Sequence, residues 1–242
     1  MTDRAARPST SITVDLHCHS DASFDSSVHP FALVERAVHR RLSHLAITDH
    51  GTIEGALRAR DAGIHWVDVI VGEEMRTTMG DVIGLFLERA IPNGLALEET
   101  VAAIREQGGI VGLPHPFDRH RPSVAARLDE DALEVVAGLI DYVEVRNGRL
   151  SDRTASVRAL AFAATNGLPG VDASDAHTLV ELGRVWTPLQ GGASSAVELR
   201  AGLDRRVAET RELYERGPRA WHGLRRVRTA VRTLGRRAGA TR

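Results

Sequence analysis

The chain has no lysine: all 31 of its basic residues are arginines. Mechanisms that need a catalytic or carbamylated lysine are therefore excluded. It has one cysteine, Cys18, so no intramolecular disulfide can form, which suits a reducing compartment. No apolar run approaches the roughly 20 residues that span a bilayer. The first eleven residues are polar and lack the apolar segment of a secretory signal. Together these absences lead us to expect a cytoplasmic protein without a transmembrane segment.

What is present fits one sizeable α/β unit. The chain has 242 residues, 43% apolar and 26% charged, and α/β barrels often run to roughly 250 residues as one domain. The net charge of −1 conceals an uneven distribution. Residues 216–242 carry nine arginines and no acid, which leaves 22 arginines against 32 acids, or −10, in the rest.

Strand-like and helix-like segments alternate along the chain. Strands are expected at 12–16, 44–48, 67–71, 82–87, 110–113, 142–145, 169–171 and 184–187. Helices are expected at 30–41 (opening on Pro30), 53–62, 97–107 (stopped by Gly108-Gly109), around 130–137, 151–165 (capped by Ser151) and 194–203. This alternation predicts a mostly parallel sheet or a (β/α) barrel, whose functional side chains sit at the strands' C-terminal ends.

The polar residues cluster there. His17 and His19, two apart after the first strand, project to one side by strand alternation. Asp49 and His50, Glu73 and Glu74, His115, Glu144 and Asn147, and Asp175 and His177 follow five later strands. Burying so many imidazoles and carboxylates without a cation would leave large desolvation costs uncompensated. A donor set of imidazole and carboxylate without a thiolate suits zinc, manganese or iron, and its size suits two or three ions. Asp15 and Asp49 either orient these imidazoles or cap turns. Cys18 reads as buried filler, and His29, His39, His44, His65, His120 and His222 as surface or interior histidines. Arg146, Arg149 and Arg184, near strand ends, are candidates for binding a substrate phosphate.

The segments Asp15-Leu16-His17-Cys18-His19-Ser20, Ile47-Thr48-Asp49-His50, Gly72-Glu73-Glu74, His115-Pro116-Phe117 and Ser174-Asp175-Ala176-His177 resemble, in order, the motifs of the polymerase and histidinol phosphatase (PHP) superfamily. The resemblance implies a distorted TIM-like barrel of about seven strands with a multi-metal site at the strands' C-terminal ends. The resemblance covers roughly residues 14–187, and with the uneven charge we expect a catalytic barrel at 12–215 and an arginine-rich C-terminal helix or tail at 216–242. It implies that His17, His19 and Asp175 hold one ion, that His115 holds a second, and that His50 and His177 hold a third. Glu74 would bridge them, with Glu73 as the adjacent alternative. Asp25 falls where many members have a histidine ligand. Asp81 falls where many have a histidine in the strand after the bridging glutamate. Asp175, His177 and Glu74 would take the catalytic positions.

The implied activity is phosphoesterase: metal-activated hydroxide attacks the phosphorus of a small phosphomonoester of nucleotide or amino-alcohol type. The alternatives are a nuclease acting on oligonucleotide ends, a hydrolase of a non-phosphate ester or carbamate, and a degenerate domain that only binds metal. The tail repeats Trp221, Leu224, Val227, Val231 and Leu234 at helical spacing between arginines. Either it packs on the barrel, or it is an arm for anionic lipid or nucleic acid.

Overall fold

In β3, Asp68–Arg76, alternation sends Ile70, Gly72 and Glu74 to one face and Val69, Val71 and Glu73 to the other. The same division runs through the sheet of the computed structural model, which describes residues 11–62 and 66–217. The other strands are β1 (Ser11–Asp15), β2 (His44–Ile47), β4 (Asp81–Leu85), β5 (Ile110–Leu113), β6 (Tyr142–Asn147), β7 (Gly170–Ala173) and β8 (Thr187–Gln190). They lie in the order β7-β6-β5-β4-β3-β2-β1-β8. The ladders β1–β2, β2–β3, β5–β6 and β6–β7 are parallel, whereas β3–β4, β4–β5 and β1–β8 are antiparallel. The antiparallel ladders distort the barrel from the all-parallel TIM arrangement.

Helices α1 (Pro30–His39), α2 (Glu54–Asp61), α3 (Leu97–Glu106), α4 (Glu130–Leu139) and α5 (Arg153–Asn166) cover the outer face. Leu33 and Val34 of α1, Ile104 of α3 and Phe162 of α5 pack there against Leu45, Ile47, Val111 and Val143 of the strands. The inner face carries a separate apolar cluster: Val14, Leu16, Ala46, Ile70, Ile83, Ile110, Tyr142 and Val171. Leu199 and Leu203 of α6 (Ala196–Arg216) join that cluster.

The seam between β7 and β8 is closed by side chains. Thr187 Oγ1 accepts from Asp172 N and donates to Asp172 O, both at 2.7 Å. The buried Arg206 of α6 donates to Gly170 O of β7 and to Pro188 O of β8. Thr210 Oγ1 accepts from Gly170 N at 2.8 Å.

The structure moves several expected boundaries, and the helix expected at 194–203 runs from Ala196 to Arg216. β3 continues through Glu73 and Glu74 to Arg76, because β4 pairs with it from Gly72–Leu85 to Arg76–Asp81. The strand expected at 184–187 forms instead at Thr187–Gln190. Pro188 is tolerated because β8 is an edge strand, pairing with β1 alone. Helix α5 starts at Arg153, where the Asp152 carboxylate rather than Ser151 accepts from Thr154 N. The tail beyond residue 217, with His222, and also His65 lie outside the described residues. Among the described residues, no helix is long and apolar enough to cross a membrane.

Candidate metal centre

The site forms where the chain beyond β1 meets the chain beyond β7. Asp175 N donates to His17 O and His19 N donates to Ala176 O, each at 2.8 Å. These two bonds set His17, His19 and Asp175 side by side at the top of the inner face. Asp175 (φ 52°) and His115 (φ 27°) are two of the four non-glycine residues with positive φ among the described residues. Backbone held in this sparsely populated region tends to cluster at functional sites.

Three groups of donors converge: His17, His19 and Asp175; Glu74, Asp81 and His115; and His19, Asp25, His50 and His177. Within each, one ligand atom per residue lies within 4.8 Å of the others. Glu74 joins the groups. Its Oε2 lies 3.2 Å from His17 Nε2, 3.4 Å from His19 Nε2 and 3.4 Å from His50 Nδ1, and its Oε1 lies 3.1 Å from His115 Nε2. Asp175 Oδ1 lies 3.6 Å from Nε2 of both His17 and His19.

The hydrogen bonds at the far side of each ring fix what these nitrogens present. His177 Nδ1 faces the Asp175 carbonyl at 2.9 Å and must donate to it. Ser123 Oγ gives its proton to His115 O at 2.6 Å, so His115 Nδ1 donates to Ser123 Oγ at 3.1 Å. His17 Nδ1 donates to Glu144 Oε1 at 2.7 Å. When neutral, each of these rings points an Nε2 lone pair inward. There it meets another acceptor: Asp25 Oδ2 at 2.9 Å for His177, Glu74 Oε1 for His115, and Glu74 Oε2 at 3.2 Å for His17. Buried lone pairs aimed at one another are repulsive unless a proton or a cation lies between them. The donor set therefore fits divalent cations.

The electrostatics agree. Burial would push the His17 imidazole down, but Glu144, Asp175 and Glu74 outweigh it and lift His17 well above its ordinary value. Burial likewise opposes the His19 shift, yet bonds from Asp175 and Glu74 raise it to about 8. Burial would raise Glu74, but His17 and the bonds from His115, His17 and His19 hold it well below the carboxylate range. At the outer group, burial leads the depression of His50 and His177, with His19 adding to it, which favours the neutral form that can ligate. Burial opposes the shift of Asp25, which His177, His50 and His19 nonetheless hold below its usual value.

The remaining residues named from the sequence divide. Glu73 points to the opposite face of β3, where its Oε2 accepts from Ile91 N at 2.8 Å. Glu144 and Asn147 act from behind: Glu144 accepts from His17, from His115 N at 3.0 Å and from Asn147 Nδ2 at 2.9 Å. Asp15 and Asp49 pin backbone rather than imidazoles. Asp49 accepts from Ser20 N and Ser20 Oγ, both at 2.6 Å, and Asp15 Oδ1 accepts from Ser174 N at 2.9 Å. A Cβ on Gly55 would lie 2.0 Å from the Asp49 and Ser20 oxygens, so the start of α2 requires glycine there.

Arg146, Arg149 and Arg184 are exposed and do not meet the cluster. Arg146 stands opposite Asp172, and Arg149 Nε lies 3.8 Å from Glu181. Arg121 does meet it, pairing with Asp175 Oδ2 through Nη1 and with Asp118 at 3.2 Å through Nε. The sequence signal for Arg121 was its loop: it lies six residues after His115, at a strand end.

The profile described as PHP domain matches residues 15–149, and one described as PHP-associated matches residues 154–207. An uncharacterised protein of Methanocaldococcus jannaschii is 34% identical over 173 residues, covering 72% of this chain and 68% of that one. A 5'-3' exoribonuclease of Haemophilus influenzae is 32% identical over 120 residues, 43% of this chain and 42% of that one. A solved two-domain protein of Bacteroides vulgatus, described as containing a predicted PHP-like metal-dependent phosphoesterase, superposes with a TM-score of 0.68 at 23% identity. That superposition covers 82% of this chain and 64% of that protein. The barrel, the order of its motifs and these matches agree: the chain belongs to the PHP domain family.

Proposed function

We propose that the chain is a metal-dependent phosphoesterase that hydrolyses a small phosphomonoester of nucleotide type, with residues 12–215 as its catalytic unit. The observation that carries this reading is Glu74, whose two oxygens reach imidazoles of all three donor groups. Such a carboxylate is suited to holding cations at the short spacing that phosphoryl transfer uses. Bound zinc, manganese or iron would activate a water as nucleophile and neutralise charge on the phosphoryl oxygens.

The protein's own residues set the geometry. His17, His19 and Asp175 take the deep position, Glu74, Asp81 and His115 the second, and Asp25, His50 and His177 the outer one. Asp175 keeps Oδ1 toward the histidines, while Asn147 Nδ2, at 2.9 Å, and Arg121 hold Oδ2. Arg121 commits Nε and Nη1, and its Nη2 has no partner among the described residues. That nitrogen is available to a phosphoryl oxygen.

Phe24 favours a nucleotide over an amino-alcohol phosphate. Its ring is 86% exposed and stacks on His50 at 5.2 Å between centroids, a flat apolar surface beside the outer group. The second reading is a nuclease acting on oligonucleotide ends, which the exoribonuclease relative favours. Metal-loaded, folded protein should hydrolyse p-nitrophenyl phosphate and nucleoside monophosphates with added Mn²⁺ or Zn²⁺. Absence of turnover with every divalent metal overturns the proposal, and faster turnover of oligonucleotides than of mononucleotides selects the second reading.

A further inference from the structure

β2 leads at its C-terminal end to His50, and β3 carries Glu74 beside it. At the opposite end of the same two strands the register pairs His44 with Asp68. The run of extended chain from His44 to His50 places these two ends of the barrel about 20 Å apart. His44 and Asp68 share the strand parity of Ala46 and Ile70, which belong to the inner apolar cluster, so both project into the N-terminal mouth of the barrel. Ala193 and Leu199 are buried in that cluster too, and they bring Ser194, which lies between them in the chain, over the mouth.

Hydrogen bonds fix the His44 ring as they fix the rings of the metal centre. Ser43 Oγ gives its one proton to Thr13 O at 2.9 Å and accepts from Thr13 N at 2.9 Å. His44 Nδ1, 2.9 Å from the same oxygen, therefore donates to it. When neutral, the ring points its Nε2 lone pair at Asp68 Oδ2, 3.4 Å away. Ser194 Oγ is also 3.4 Å away, but its proton goes to Asp68 Oδ2 at 2.6 Å. The lone pair of a histidine only 5% exposed thus faces two acceptors. Burial, opposed by Asp68 and Glu198, holds this imidazole below its ordinary value and favours the neutral ring. A cation shared with the carboxylate relieves the contact and leaves the ring neutral.

Ions and water can reach the site. A cavity of about 500 Å³ opens beside it, lined by Asp68 and Ser194 together with Val69, Phe86 and Ala193. Arg60, the arginine of that lining, pairs with Asp61 at 3.1 Å. The Asp68 side chain is 56% exposed and faces this space, whereas His44 closes it from below. The 3.4 Å between Nε2 and Oδ2 matches the edge of a zinc coordination tetrahedron, about 3.3 Å for ordinary zinc bonds. Glu198, whose Oε2 accepts from Ser194 N at 3.1 Å, adds a second negative charge near the ring.

We propose that His44 Nε2 and Asp68 Oδ2 bind one divalent cation of the zinc class at the N-terminal mouth of the barrel. Ser194 holds the carboxylate in place, and water from the cavity completes the coordination shell. The ion joins β2 and β3 to the lead-in of α6, so it clasps α6 over the mouth at the end of the barrel remote from the metal centre. The clasp stands on these residues alone and does not depend on the phosphoesterase reading. Imidazole with carboxylate suits zinc, and two protein donors with water make a site that exchanges its ion. It is therefore tested at equilibrium, with the ion present.

The probe is Zn²⁺, titrated into the full chain after the metal centre has been filled with the same ion. The His44 ring nitrogens are followed by ¹⁵N NMR, assigned with His44→Gln, and Tm is measured in parallel. In the wild type the Nε2 signal should begin as that of an unprotonated nitrogen and move to a saturating end point, with Tm rising along the same curve. Asp68→Asn should weaken this binding about tenfold or more and lose the rise in Tm. Ser194→Ala keeps both donors and should weaken it by less. The Zn²⁺ content of the metal centre should be the same in both variants as in the wild type. A doubly protonated His44 ring before the titration, at neutral pH, would mark an ordinary ion pair and overturn the proposal. So would an Nε2 signal that Zn²⁺ leaves unmoved, or an equal response in wild type and Asp68→Asn.

Discussion

The deep and outer parts of the donor cluster are built differently. The side chains of His17, His19, Glu74, His115 and Asp175 are 0–3% exposed, whereas Asp25 is 32%, His50 19% and His177 8% exposed. The deep imidazoles of His17 and His115 are braced by Glu144 and Ser123, and backbone bonds tie His17 to Asp175. The outer group takes Asp25 from the loop between β1 and α1, and among the described residues that carboxylate's ion-pair partners are the rings of His50 and His177. Donors on strand ends with fixed tautomers are pre-organised, while a loop carboxylate must be ordered on binding. The difference teaches that one cluster can combine a buried, braced part with a more exposed part, and it predicts that metal is held more firmly in the first.

Removing the residue common to both parts should have the largest effect. Glu74→Ala should lower phosphoesterase kcat by about a thousandfold or more and release more than one metal equivalent, measured by steady-state kinetics and elemental analysis. Retention of full metal content would separate Glu74 from the cluster. A smaller change should strike the deep part selectively. Glu144→Gln removes the carboxylate behind His17 and should weaken deep metal affinity about 10–100-fold, read by competition with a chelator of known affinity. A uniform loss at every site would show that Glu144 acts on the fold rather than on His17.

How much of this was legible in the sequence depended on range. The His17-x-His19 pair and the strand-end order of the other donors follow from periodicity, which is local. Glu73 against Glu74 could not be settled that way. The choice depends on β3 running on through both residues, and β3 does so because β4 pairs with it. Asp152 displaced Ser151 as the α5 cap by one residue, within the range over which helix ends differ. Arg121 was missed, and Arg146, Arg149 and Arg184 were named, because proximity in sequence to a strand end does not fix where a long side chain reaches. Only the pairing of the 118–124 loop with the β3–β4 turn carries Arg121 to Asp175. Asp15 and Asp49 lie beside the histidines in sequence, yet a backbone amide holds one oxygen of each.

The contrast between deep and outer donors is tested most directly by counting metal in Asp25→Ala. Purified wild type and variant, loaded with Mn²⁺ or Zn²⁺ and freed of excess metal, are compared by elemental analysis. The account predicts that the variant loses about one equivalent per chain while the deep part keeps its metal, and that Asp25→His restores the lost equivalent. Unchanged metal content in Asp25→Ala, or loss of all metal, would contradict it.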